Sequence, residues 1–292
     1  MRKNIKKALS EVIVSQSFSK EPSFKDQSPF SAIENVAGRL VVFPTEDDAY
    51  VSGSCVRIAS NLYLTAGHVI ADFFEKFGGA DSTIRAECWV VHVFPGPEYA
   101  IWQITHAWVS AHSDLAVFNT RPYNDVAARM VPAPCLGLEL APPAVGERVV
   151  GFGYHSSSGH VIRGPDGTRH IEVNAYGAAT VGEVKLVHAE RRDSYRLCFP
   201  CFQVNARFDG GMSGGPVLSD RGRLCGIICS NLPPSEPDGE QVSYAATLWP
   251  LMALEINIDV TGRVQDQSYP LRELASQGIV EAQGWEGVEI ER

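Results

Sequence analysis

Short apolar runs rich in β-branched residues recur along the chain, at residues 38–43, 51–58, 62–65, 88–94, 101–109, 115–119, 149–153, 178–188, 201–205, 217–218, 224–229 and 242–247. Their length, composition and spacing predict strands joined by turns. The 26 glycines and 18 prolines suit those turns. A chain of 292 residues can bury a sizeable core in one large β domain or two ordinary ones. The pattern predicts an all-β sandwich or a pair of barrels. Residues 69–76, directly after a histidine, and residues 249–256 read as helical, and a short helix is expected over 271–276.

The ends read differently. Ile5, Leu9, Val12 and Ile13 fall at helical spacing, with Arg2, Lys3, Lys6 and Lys7 on the other side. This predicts a short amphipathic helix, docked on the domain or offering a basic face to a partner or membrane surface. A polar linker follows to about residue 35. The longest aliphatic run near the N-terminus, Val12-Ile13-Val14, is short for an export signal, and no stretch approaches a transmembrane helix in length. Residues 257–292 are acidic and mixed and read as an appended tail. The net charge of −9 opposes a nucleic-acid partner, for which no compensating basic patch exists. Seven cysteines, at positions 55, 88, 135, 198, 201, 225 and 229, lie mostly in apolar stretches and suggest buried thiols in a reducing, cytoplasmic setting.

The most chemically pointed stretch is Phe208-Asp209-Gly210-Gly211-Met212-Ser213-Gly214-Gly215-Pro216-Val217. Gly210 and Gly211 let the backbone take positive φ and turn successive N–H groups toward one point. Ser213 becomes a nucleophile only if a base takes its proton and such N–H groups stabilise the resulting oxyanion. Alone, the stretch reads equally well as a glycine-rich turn. Two further sites change that. Leu62-Tyr63-Leu64-Thr65-Ala66-Gly67-His68-Val69 delivers a histidine where a strand meets a short helix, and Ser113-Asp114-Leu115-Ala116-Val117 opens a strand with an aspartate. A serine nucleophile needs an imidazole base, and the imidazole needs a carboxylate to hold its tautomer.

His68, Asp114 and Ser213, separated by 46 and 99 residues, resemble the signature blocks of the trypsin-like (chymotrypsin-fold) serine proteases in order and spacing. The α/β-hydrolases place the partners after the serine. The resemblance covers about residues 36–256. Gly53-Ser54-Cys55-Val56, the run from Val149 to Tyr154, Leu224-Cys225-Gly226-Ile227-Ile228 and an expected helix near Trp249 agree with it. It implies two six-stranded antiparallel Greek-key barrels, about 36–130 and 131–248, with the active site in the cleft between them. It also implies an oxyanion hole from the N–H groups of Gly211 and Ser213. The activity implied is that of a serine endopeptidase acting on a protein or peptide through an acyl-enzyme intermediate, without a cofactor. A silent protease-fold binding module, and a latent effector switched on by a protein partner, are the alternatives.

The chain departs from the secreted members. Met212 stands where they carry an aspartate that binds a freshly cleaved N-terminus, and Val69 replaces the cysteine after the histidine. In these respects it resembles bacterial stand-alone and HtrA-type proteases, with no PDZ-like domain expected in the 36 residues after Ile256. Arg207 falls where the family often has the base of its specificity pocket, beside Phe208, with Cys229, Ser230 and Asn231 as the wall. A buried Arg207 would favour an acidic side chain before the scissile bond; Arg207 turned to solvent would leave Phe208 closing a small pocket. Neither reading favours lysine or arginine. Cys198, Cys201, Cys225 and Cys229 could form a zinc site, but neighbouring strands in the core account for them more simply. Residues 155–170, rich in serine and glycine, read as an exposed insertion near the cleft.

Overall fold

The computed structural model describes residues 14–15, 33–77, 82, 84, 87–94, 99–167, 169–232, 242–258 and 263–285. The amphipathic helix expected over residues 2–14, apart from Val14, and the linker after Ser15 lie outside them.

After a two-residue strand β1 (Val14–Ser15), six strands form a closed barrel. They are β2 (Ala37–Phe43), β3 (Tyr50–Arg57), β4 (Leu62–Thr65), β5 (Glu87–Val93), β6 (Tyr99–Val109) and β7 (Ala116–Pro122), in the cyclic order β2-β3-β4-β7-β6-β5. Helix α1 (Gly67–Phe77) interrupts β4 and β5, and α2 (Asp125–Arg129) follows β7. Asn124 caps α2 by accepting the N–H of Ala127 at 3.0 Å.

The second unit comprises β8 (Leu138–Glu139), β9 (Arg148–Arg163), β10 (Arg169–His188), β11 (Cys201–Val204), β12 (Pro216–Leu218), β13 (Leu224–Leu232) and β14 (Val242–Ala246). The order β12-β9-β10-β11-β14-β13, with β12 also pairing β13, closes a second ring of six antiparallel strands. The all-β, two-barrel architecture expected from the sequence is therefore present.

Residues 155–170 correct an expectation. They are not a loop but the outer half of the β9–β10 hairpin, paired as far as Arg163 and Arg169. The arm crosses the outside of the first barrel, where Ile171 and Val173 join Val41, Phe43, Trp89 and Val91 in one apolar cluster. Arg163 pairs with Asp47 at 2.7 Å and Arg169 with Glu87 at 2.6 Å, fastening the arm by charge as well. This explains why residues 40–43 of β2 are apolar without a break. Leu40 and Val42 face the main core while Val41 and Phe43 face the arm, so both sides of the strand are buried.

The stretch expected as one helix over 249–256 divides into a 3-10 helix (Trp249–Ala253) and a strand, β15 (Glu255–Ile258). Ile256 and Ile258 are both buried, the alternation of a strand, and β15 pairs with β16 (Val264–Pro270). Helix α3 (Leu271–Ser276) matches its expected bounds and buries Leu271 and Leu274. Then β17 (Ala282–Gln283) adds to β8 in parallel, and Glu281 pairs with Arg223 at 2.6 Å. Residues 263–285 thus pack on the folded body.

The first barrel holds a buried charged cluster. Arg57 lies between the rings of Tyr63 and Trp102, at 4.9 and 4.4 Å, and donates from Nε to the Tyr63 hydroxyl at 2.8 Å. Tyr63 also meets His92 Nε2 at 2.9 Å, and His92 Nδ1 lies 3.3 Å from the Glu34 carbonyl. With its oxygen accepting from Arg57, Tyr63 donates its proton to Nε2, so His92 is neutral with its proton on Nδ1. Burial, then the Arg57 charge, push the His92 pKa down to about 3. The unfolded chain therefore binds a proton near pH 6.5 that the folded chain refuses until about pH 3. Stability from this residue is full above pH 6.5 and falls as pH drops toward 3, by about 1.4 kcal/mol per pH unit. Urea unfolding from pH 7 to 4 should show this slope, and His92→Gln, which keeps an acceptor for Tyr63, should flatten it. An equal slope in both proteins would refute the assignment.

Candidate active site in the cleft between the barrels

Strand register brings two of the expected residues together. Thr65 at the end of β4 pairs with Ala116 at the start of β7, so the segment leading to His68 and the segment carrying Asp114 emerge side by side. Gly67 permits the contact, because a Cβ there would lie 3.1 Å from Asp114 Oδ1. The Asp114 carboxylate then holds His68 at two points. Oδ1 accepts the His68 backbone N–H at 2.8 Å, and Oδ2 meets the ring Nδ1 at 2.7 Å. The first bond also satisfies a free N–H in the opening turn of α1, where a negative charge is favoured by the helix dipole. The His68 side chain is 48% exposed and that of Asp114 13%, leaving the imidazole open and its carboxylate shielded.

Ser213 sits on two successive turns. Met212 N–H donates to Asp209 O at 3.0 Å, and Gly215 N–H donates to Met212 O at 2.9 Å. Gly211 has φ +95° and Gly214 φ +84°, each at the third position of its turn, where glycine is favoured. Among the described residues, no group accepts a hydrogen bond from the N–H of Gly211 or of Ser213. Both glycines after the serine are also required by close approach. A Cβ on Gly214 would lie 2.1 Å from Ser54 O and 2.1 Å from Thr65 Oγ1, and one on Gly215 would lie 2.0 Å from Phe152 O. Gly214→Ala is expected to displace the serine turn and lower kcat/KM by at least about 10²-fold. Activity within a few-fold of the parent would show that the turn tolerates the shift.

Ser54 on β3 ties this turn to the first barrel. Its N–H donates to Ser213 O at 2.8 Å, its hydroxyl donates to Gly211 O at 3.1 Å, and the same hydroxyl accepts Tyr154 N–H at 2.8 Å. Gly53 makes room between Val69 and Ser213, since a Cβ there would lie 2.8 Å from Val69 Cγ1 and 2.9 Å from Ser213 O. The serine turn is thus seated beside the residue that follows His68. Sequence reasoning noted Ser54 only as part of a block; its position directly after Gly53 was the available signal. Met212 anchors the turn from the other side, buried in the second barrel's core with Val149, Phe208 and Val217.

A cavity of about 640 Å³ opens beside His68 and Asp114, and its lining includes Cys229 and Ser230. Arg207 and Phe208 do not line it. Arg207 is exposed and pairs with Asp209 at 2.6 Å. Phe208 is buried with its ring against Gly151, where a Cβ would lie 2.3 Å from it. The buried-arginine reading is therefore corrected: the chain turns at residues 205–209, and the short pairing with Asp209 keeps the guanidinium in water. Asn231 lies on β13, paired with Ser243.

Of the four cysteines weighed as metal ligands, Cys201 and Cys229 belong to the main core and Cys225 to the second. Cys225 is in the second core with its thiol on Val217 O at 3.3 Å, and Cys229 places its thiol on Tyr244 O at 3.3 Å. Burial raises the pKa of both thiols, so they stay protonated. Among the described residues, no three His, Cys, Asp or Glu side chains come together as metal ligands. Among the same residues, no helix is long and apolar enough to cross a membrane.

Comparison with known proteins adds an independent observation. The trypsin-like peptidase domain family matches residues 53–227, more than half of the chain. An HtrA-like serine protease of Staphylococcus aureus (strain bovine RF122 / ET3-1) is 24% identical over 100 residues, covering 34% of this chain and 13% of that protein. The chain thus spans only a small fraction of that relative's length. Among solved structures, the active form of the Rv3671c protease from M. tuberculosis aligns with 81% of this chain and 86% of its own, at 15% identity and TM-score 0.49. The protease domain of MamO from Magnetospirillum magneticum aligns with 75% of this chain and 95% of its own, at 15% identity and TM-score 0.46. Because the family match covers residues 53–227, a stretch that includes His68, Asp114 and Ser213, the chain belongs to the trypsin-like peptidase domain family.

Proposed function

We propose that this protein is an endopeptidase that cuts selected protein substrates through Ser213, with His68 as general base and then general acid and Asp114 as the residue that orients it. The observation that carries this reading is the two-point hold of Asp114 on His68, at 2.8 and 2.7 Å, beside the anchored Ser213 turn. With Oδ2 accepting from Nδ1–H, the lone pair of His68 is on Nε2, the atom that must take the serine proton. The serine oxygen attacks the substrate carbonyl, and the proton passes to Nε2 and then to the leaving amine. The acyl-enzyme is released by water using the same base. The N–H groups of Gly211 and Ser213 serve as the oxyanion donors.

A fluorophosphonate probe tests this reading. The purified chain should be labelled and Ser213→Ala should not; equal labelling of both would refute it. The buried anchoring of Met212 favours a turn competent without a partner, so labelling should not require one. The buried thiols Cys55, Cys88, Cys201, Cys225 and Cys229, packed as small apolar side chains, support a reducing compartment. Cell fractionation checks that, and recovery in the secreted fraction would overturn it.

A further inference from the structure

The cavity beside His68 is walled by residues 111–114, residues 196–199 and the pair Cys229–Ser230. Its charged or titratable lining groups, thiols apart, are His68, His112, Asp114 and Arg196. The Asp114 carboxylate is already engaged by His68 through both oxygens. Arg196 is in the opposite condition. It is exposed, and its side chain has no hydrogen bond or ion pair with any described group.

The loop that carries Arg196 is nonetheless organised. Asp193 Oδ1 accepts the N–H groups of Tyr195, Arg196 and Leu197 at 2.8, 2.6 and 3.1 Å, and its other oxygen pairs with Arg192 at 3.0 Å. Those three backbone bonds pull the Asp193 pKa down to about 2, so the clasp persists at any physiological pH. Leu197 and Phe199 are buried and fasten the far side of the loop. Arg192 is occupied, by Asp193 and by the face of the Tyr244 ring at 4.9 Å. Arg196 therefore stands on a braced loop at the rim with its N–H donors unspent. A guanidinium so placed matches a carboxylate, which it can bind through two parallel bonds.

We infer that Arg196 selects an acidic substrate side chain, aspartate or glutamate, seated in this cavity on the amino-terminal side of the scissile bond. The side is assigned by Cys229 and Ser230, which belong to the wall expected for the residue before that bond. The inference rests on the catalytic reading of Ser213, His68 and Asp114. It also moves the acidic preference first considered for Arg207 to a different arginine.

The test uses the full chain and peptides that carry glutamate, glutamine or lysine in turn at each of the four positions before the cleaved bond. The parent protein should prefer glutamate over lysine by about tenfold in kcat/KM at one of them, as expected for a partly solvated charge pair. The preference should shrink as salt is raised. Arg196→Glu should invert it, Arg196→Gln should erase it, and Arg207→Glu should leave it unchanged. Thermal melting should show all three variants folded, since both side chains are exposed. Cleavage without charge preference, or a preference that survives Arg196→Glu or is lost in Arg207→Glu, overturns the role of Arg196 alone. Absence of both cleavage and fluorophosphonate labelling in the parent overturns the catalytic reading, and this inference with it.

Discussion

Ser213→Ala is expected to lower kcat for peptide cleavage by about 10⁶-fold, the size of effect seen when a triad enzyme loses its nucleophile. The substitution removes the only atom that can form the acyl bond in this reading. The surroundings remain: the turn is held by Met212 N–H on Asp209 O, Gly215 N–H on Met212 O and Ser54 N–H on Ser213 O, none of which involves the serine hydroxyl. Stability should accordingly stay within about 0.5 kcal/mol of the parent. Single-turnover cleavage and urea unfolding, measured on the same preparation, separate the two effects. A variant that still cleaves within a hundredfold of the parent would place the nucleophile elsewhere.

Asp114→Asn should cost about 10⁴-fold in kcat, a magnitude carried over from triad enzymes in general. The geometry of this chain explains why an isosteric change does so much. Both carboxylate oxygens face an N–H of the same residue, at 2.8 and 2.7 Å. An asparagine has one acceptor for these two donors. If its carbonyl keeps the backbone N–H of His68, its amide opposes Nδ1, which must then present a lone pair and move the ring proton to Nε2. An imidazole protonated there cannot take the proton of Ser213. If the amide is flipped, it meets the backbone N–H donor to donor. Steady-state kinetics on a cleaved peptide decides the matter, and turnover within tenfold of the parent would exclude Asp114 as the orienting group.

Much of the site was legible because its signals are local. A glycine at the third position of a turn, a small residue where two segments touch and a polar group at a helix start are short-range requirements, and residues 62–69, 113–117 and 208–217 display them directly. Helix α3 was equally plain. Elsewhere local propensity pointed away from the outcome. Ser158 and Gly159 have little strand preference, yet they belong to the β9–β10 hairpin because they pair with Asn174 and Val173, and Val173 is held in the apolar cluster on the first barrel. Ile256 was expected at the end of a helix, and the pairing with Tyr269 of β16 makes it a strand residue instead. Arg207 was expected by counting from Ser213, and counting cannot reveal that Asp209, two residues on, holds its guanidinium outside.

The amino-acid sequence by itself determined the architecture class and supplied the candidate chemistry: strands between turns, and a serine, a histidine and an aspartate in an order that suits acyl transfer. These follow from backbone preferences and side-chain acidity, which belong to short segments wherever they lie. Only the tertiary structure decided which groups face the cleft. Ser54 reaches the turn of Ser213 across 159 residues of chain, Met212 becomes an apolar anchor, and Arg196 rather than Arg207 borders the cavity beside His68. Each of those outcomes depends on contacts between residues distant in the chain, and no local pattern encodes them.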